Sequence, residues 1–384
     1  MNRFALAAAA FVAAALALPA HAQKSIDYLE SSKAWGHVVA DFNGDGHDDI
    51  FITGHDSDDR IWYWTPTGYL PSGQALPWKD RHDCAAADVN GDGRLDMYCA
   101  IGAVGGTGLK LNELWIQQPN GTFVEALGYG ADDPSGRGRH PVFLDLNHDG
   151  KPDLYVANEA TVRSDHLPNF NHLWLNTANG TKFTEVTTIA TGDRGYACAV
   201  KGDINGDGWD DLLVCSVKGA GHLYVNNHRN DFTELVTPAY GSGWRDAKLV
   251  DMNGDGKADL VVVTHDNHLQ IWLNTGITPY YAGAPSFDGV LPGRGMSVAA
   301  GDFDGDGHMD AYVVLADAAC AAAGPDLAGD AVYWARTGSW TQAQFVQNFG
   351  GCGHLAATVD GSKVLLENGT PGLKGPNYVL SFGH

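Results

Sequence analysis

The 384 residues carry 46 acidic against 24 basic side chains, a formal net charge of −22, with 49 glycines and 6 cysteines. This is not the basic footprint that nucleic acid requires. Past residue 22 no apolar run reaches the roughly 20 residues that a bilayer-spanning helix needs.

Residues 1–22 combine Arg3, an apolar stretch over 4–18 and the small-residue exit Ala20-His21-Ala22. That is the layout of a secretory leader cleaved before Gln23. No Cys follows the cut, so no lipid anchor is expected. Residues 23–384 are expected as one exported domain, secreted or periplasmic.

The next landmark is DFNGDGHDD at 41–49, with four carboxylates in nine residues. Charges that close repel one another unless a cation or water separates them. Asp41, Asn43, Asp45 and Asp49 place oxygens at positions 1, 3, 5 and 9, Gly46 supplies a bend at position 6, and the carbonyl of His47 adds a ligand. Hard Ca²⁺ prefers such an oxygen-only set. A helix-loop-helix calcium hand would need Glu at position 12, where Ile52 stands. The flanks VVA and IFIT are β-branched and apolar, so strands lead into and out of the loop.

The pattern returns as DVNGDGRLD, DLNHDGKPD, DINGDGWDD, DMNGDGKAD and DFDGDGHMD. The ligand sets are Asp88, Asn90, Asp92, Arg94 and Asp96; Asp145, Asn147, Asp149, Lys151 and Asp153; Asp203, Asn205, Asp207, Trp209 and Asp211; Asp251, Asn253, Asp255, Lys257 and Asp259; and Asp302, Asp304, Asp306, His308 and Asp310. In each set the fourth residue offers its carbonyl. The first aspartates lie 47, 57, 58, 48 and 51 residues apart, the period of a repeated supersecondary unit. About six Ca²⁺ ions, mainly structural, are expected. Of the 46 acidic residues 21 lie in these loops, and six bound ions would bring the net charge to about −10.

Each unit reads as apolar run, loop, apolar run, variable connection, aromatic run, turn and short run, as in PVFLD, LYVAN, NHLWLN and KFTEVT. Four short antiparallel strands per unit make a β-propeller blade. A seventh unit, HLAATVDGSKVLLENG, has only a two-residue Asp360-Gly361 hairpin turn in place of the loop and three strands at most. SIDYLE near the start supplies the missing fourth. The expected fold is all-β: a seven-bladed propeller with six calcium loops, closed by the N-terminal strand.

Cys84 and Cys99 are centred on their loop in the same way as Cys198 and Cys215, so each pair is expected to bridge neighbouring strands. Cys320 and Cys352 remain as a third pair, with buried free thiols as the alternative.

The six D-x-[DN]-x-D-G-x-x-D loops and the recurring NHLWLN and FTEV runs resemble the FG-GAP and VCBS repeat families, the calcium-loop propellers typified by the integrin alpha-subunit head. The resemblance implies calcium loops on one rim and ligands on the other rim or between blades. It leaves activity open.

Trp62, Trp115, Trp174, Tyr224, Trp272 and Tyr333 fall at one position of the third strand and are expected between blades rather than as a sugar platform. Isolated histidines such as His55, His166 and His265 are expected in solvent. Basic residues concentrate six to nine positions before each loop: Lys33, Lys79, Arg81, Arg137, Arg139, Arg194, Arg245 and Arg294. With Trp35 and Trp244 they form a candidate ring for an anionic glycan, since Arg pairs carboxylates bidentately. The expected role is a binding module, for carbohydrate first. One alternative is a polysaccharide lyase using His82, His140 or Tyr196 as base beside Arg139 and Arg245; another is a protein-adhesion head. Bracing of blade-to-blade turns by the arginines is the competing structural role.

Overall fold

A computed structural model of the chain describes residues 23–32, 34–54, 58–102, 111–133, 138–158, 170–191, 196–216, 221–235, 243–316, 329–336, 339–347, 353–370 and 373–382. The expected leader and the Cys320–Cys352 pair lie outside them.

Seven four-stranded antiparallel sheets form, each a meander of neighbouring strands. Their first strands, Ala34–Ala40, Arg81–Ala87, Gly138–Leu144, Tyr196–Gly202, Trp244–Val250, Arg294–Gly301 and Gly353–Val359, pack against one another in sequence and close a ring around the axis. Second strands such as Asp153–Asn158 and Asp259–Thr264 are buried at every residue. A sheet held between two others hides both faces, which is why LYVAN and LVVVT are continuous rather than alternating apolar runs. The outer strand Phe183–Val186 buries its Phe and turns the rest towards solvent.

Among the described residues the core divides into seven apolar clusters, one at each junction between blades. The third-strand aromatics sit there as expected. Trp115, Trp174, Tyr224, Trp272 and Tyr333 are buried, each facing the preceding blade, and Trp62 is partly buried at the junction of blades seven and one.

Blades are also stapled by side-chain amides. Asn226 Nδ2 donates to the Leu146 carbonyl of the preceding loop at 2.9 Å, and Asn176 to Val89, Asn274 to Ile204 and Gln117 to Phe42 repeat the bond. Glycines at loop positions 4 and 6 hold left-handed backbone, for example Gly44 at φ 76° and Gly46 at φ 87°. His148 takes the same conformation at φ 56°, so the irregular third loop keeps the bend despite its side chain.

The outermost strand of the seventh sheet is Gln23–Ser32, antiparallel to Leu373–Phe382 with Ile26 opposite Leu380. The Asp360-Gly361 turn is longer than the expected two residues. Val359 pairs with Lys363, Ser362 N–H donates to the Val359 carbonyl, and both central residues are left-handed. Cystines join Cys84 to Cys99 and Cys198 to Cys215, pairs that stand opposite each other in their hairpins. One packs with blade one and the other with blade five, because Cys84 and Cys198 are one residue out of phase along their strands.

Asn226→Leu should lower the urea midpoint, because it leaves the Leu146 carbonyl without its donor at a cost of about 1–3 kcal/mol. An unchanged midpoint would show that the staple contributes nothing net.

Candidate functional site

The two rims of the ring differ chemically. On the loop rim, the position 9 carboxylates Asp49, Asp96, Asp153, Asp211, Asp259 and Asp310 are completely buried. One oxygen of each accepts the position 2 N–H at 2.8–3.2 Å. The other accepts an N–H at the end of the third strand at 2.7–2.9 Å. Burial, with added repulsion from the other loop carboxylates, pushes Asp49, Asp96 and Asp153 up to about 6 and Asp211 and Asp310 up to about 7, although the N–H bonds oppose it. Asp259 is raised in the same way.

The rest of each loop curls around its own oxygens. In loops one, two, four and five the position 1 carboxylate (Asp41, Asp88, Asp203, Asp251) accepts the N–H groups of positions 4, 5 and 6 at 2.7–3.1 Å. The position 3 amide oxygens of Asn43, Asn90, Asn147, Asn205 and Asn253 accept the position 5 N–H. His47, Arg94, Lys151, Trp209, Lys257 and His308 donate their N–H to the position 5 carboxylate, which leaves their carbonyls free of that bond. Loop six has Asp304 where the others have Asn, and oxygens of Asp302, Asp304 and Asp310 converge to within 4.8 Å of one another. Asp302 Oδ1 is buried with no hydrogen-bond partner. An orphaned carboxylate oxygen in an oxygen-only set fits a hard divalent cation.

The opposite rim, where the inner strands begin, separates the sequence candidates. Arg81 is not available to a ligand: it is fully buried, with Nε donating to Glu113 and Nη1 to Asp59, each at 2.7 Å. It straps the third strands of blades one and two, and Lys79 also pairs with Glu113. Trp244 offers no stacking face either. It is 1% exposed, and a Cβ on Gly221 would stand 2.3 Å from its ring. Both corrections have one cause: the partners lie on neighbouring strands that adjacency in sequence does not reveal.

His82 is buried, touches Arg139, stands 3.7 Å from Asp80 and meets Trp35 edge-on at 5.2 Å. His140 Nδ1 lies 2.9 Å from Asp83 of the preceding blade. Arg139, His82 and His140 are therefore brought together at blades two and three. Arg245 belongs to blade five, so the expected lyase set is split. Arg137, Arg194 and the side chain of Tyr196 lie outside the described residues, as do Lys33, His55 and His166.

Two residues that sequence reasoning did not assign to this rim matter. Trp78, just before the inner strand of blade two, is 40% exposed; the Pro77-Trp78 step into a strand is its only sequence signal. His265, expected in solvent, is partly buried, and its carbonyl accepts from Arg245 Nη2 at 3.3 Å.

The FG-GAP-like repeat matches residues 41–99, 88–156, 203–262 and 251–313, together more than half of the chain. The chain belongs to the FG-GAP-like repeat family. A T-cell immunomodulatory protein homolog of Plasmodium falciparum (isolate 3D7) is 24% identical over 251 residues, 59% of this chain and 28% of that protein. Cartilage acidic protein 1 of Xenopus tropicalis is 23% identical over 314 residues, 72% of this chain and 47% of that protein. This chain thus spans less than half the length of the curated relatives it matches. The crystal structure of BBS1N in complex with ARL6DN shares the fold, with a TM-score of 0.59 at 12% identity, covering 94% of this chain and 96% of that one.

Within this FG-GAP-like ring Arg81→Leu should be strongly destabilising. It takes the guanidinium away from two buried carboxylates, Asp59 and Glu113, a loss of about 3–5 kcal/mol in chemical denaturation. A change below about 1 kcal/mol would remove Arg81 from its strap role.

Proposed function

We propose that the chain is an exported, calcium-braced propeller that binds carbohydrate on the rim where its inner strands begin. The convergence of Asp302, Asp304 and Asp310 with one orphaned oxygen carries the calcium half. The residues that would hold the ions are those of positions 1, 3, 5, 7 and 9 in each loop, and a bound cation would offset the charge that burial opposes at position 9. Cystines in two blades support export, since such bonds persist in oxidising compartments. No helix among the described residues is long and apolar enough to cross a membrane.

Trp78 carries the ligand half. An indole 40% exposed beside a polar, basic rim is an apolar face with a wet edge, the surface on which a sugar ring stacks. The relatives are an immunomodulatory protein homolog and a cartilage protein, which suits a binding or adhesion module. A lyase is the second reading, favoured by the His140–Asp83 pair at 2.9 Å, in which a carboxylate orients an imidazole beside Arg139.

Chelation should lower the melting temperature by several degrees, and metal analysis should find about six Ca²⁺ per chain, because an ion bound only to the native state stabilises it with concentration. Asp203→Ala should remove about one ion. An unchanged melt in excess chelator with no calcium by mass spectrometry would sink the claim.

A glycan array should show binding that Trp78→Ala reduces about tenfold or more. Ultraviolet-absorbing unsaturated products from uronate polymers, lost in His140→Ala, would establish the lyase reading instead. A blank array with no product would end both.

A further inference from the structure

One corner of the inner-strand rim holds cations that have no acidic partner among the described residues. Arg245 is the second residue of the inner strand Trp244–Val250, and Arg294 opens the adjacent inner strand Arg294–Gly301. His265 follows directly on the second strand of blade five, Asp259–Thr264, whose last residue pairs with Trp244. Two blades thus bring two guanidiniums and an imidazole to the same end of the ring.

What they lack is acceptors. Among the described residues neither arginine has a carboxylate within ion-pair distance, whereas Arg81 at its own blade junction meets two. Arg245 makes one long bond, 3.3 Å, to the His265 carbonyl, and its Nε is buried with no acceptor. His265 Nε2 is likewise buried and unpartnered. Arg294 is exposed. Asp266, next to His265 in the chain, is exposed and already accepts the Thr264 hydroxyl at 2.5 Å. Bracing therefore does not account for this pair. Like charges held together without a counter-charge are costly, by the same reasoning that calls for cations in the acidic loops.

The corner is also open and firm. The link between second and third strands in blade five is residues 265–267, against 102–112, 159–171 and 317–328 in blades two, three and six. Asn267 turns left-handed at φ 67°, and its N–H donates to the Thr264 carbonyl at 3.2 Å.

We propose that Arg245, Arg294 and His265 form an anion site that takes the carboxylate of an acidic sugar. Guanidinium forks match a planar carboxylate with paired N–H bonds, and a buried donor without an acceptor is satisfied by the incoming oxygen. Burial, then Arg245 and Arg294, hold the His265 imidazole below its ordinary range, with Asp266 opposing, so a bound anion raises it. The proposal rests on the reading of this rim as the ligand face and names the group recognised there.

The test titrates the full chain with glucuronate, sulfate and glucose by calorimetry, following His265 by NMR. Glucuronate should bind more tightly than glucose and sulfate and should raise the His265 titration midpoint. Arg245→Gln with Arg294→Gln should weaken glucuronate about tenfold or more, while Arg229→Gln, the same charge change at an exposed site on the loop rim, should leave it intact. If the double variant loses stability, Arg294→Gln alone, at an exposed residue with no ion pair among the described residues, still carries the expected loss. A parent that binds no glycan fails the broader reading. A parent that binds glycans while the double variant binds them equally overturns this corner alone, as does sulfate bound in preference to glucuronate.

Discussion

The fold hangs on one carboxylate in each of six blades, the fully buried aspartate at position 9 of the acidic loop. It ties the start of the loop to the end of the third strand through both oxygens. The residue that donates from the third strand is in several blades the same Asn or Gln whose amide reaches the preceding blade. Loop, sheet and junction therefore share one anchor. Burying that charge is unfavourable and raises the Asp211 and Asp310 carboxyls, a cost that the proposed cation in the loop would offset.

Blade seven shows how the ring manages where the loop is missing. Asp360 N–H donates to Asp48 Oδ2 at 2.7 Å, and Asp48 N–H donates to Asp360 Oδ1 at 2.9 Å. Two facing carboxylates would repel, but Lys363 Nζ lies 2.7 Å from Asp360 and His47 approaches it at 3.9 Å. A covalently attached cation thus stands beside this pair of carboxylates. Asp210 makes the related contact at the junction of blades three and four, accepting the Asp145 N–H at 2.8 Å. The clasp at the ring junction is a variant of an ordinary blade contact.

The two rims carry charge for different reasons. On the loop rim the acids belong to the frame. On the other, arginines in the same short stretch before the loops, Arg81, Arg245 and Arg294, have unlike fates, because the acids that receive them come from third strands whose sequences vary. Asp59 and Glu113 take in Arg81 completely, while Arg245 and Arg294 find no such partners among the described residues. A shared stretch of the repeat is not a shared role.

The sequence by itself determined the repeat count, the blade meander, the acidic loops and the two hairpin cystines. Those features depend on spacing within a unit: position 9 returns to position 2, Cys198 stands opposite Cys215, and continuous apolar runs mark strands covered on both faces. It also placed the third-strand aromatics between blades, since a residue repeated around a ring must face a neighbour. Only the tertiary structure decided which rim side chains are exposed. Trp244 is packed away, Trp78 is exposed, and His265 is brought beside Arg245. Each outcome depends on contacts between strands or blades that lie far apart in the chain, and the packing at a junction is set by the volumes and charges of both sides at once, which no single repeat encodes.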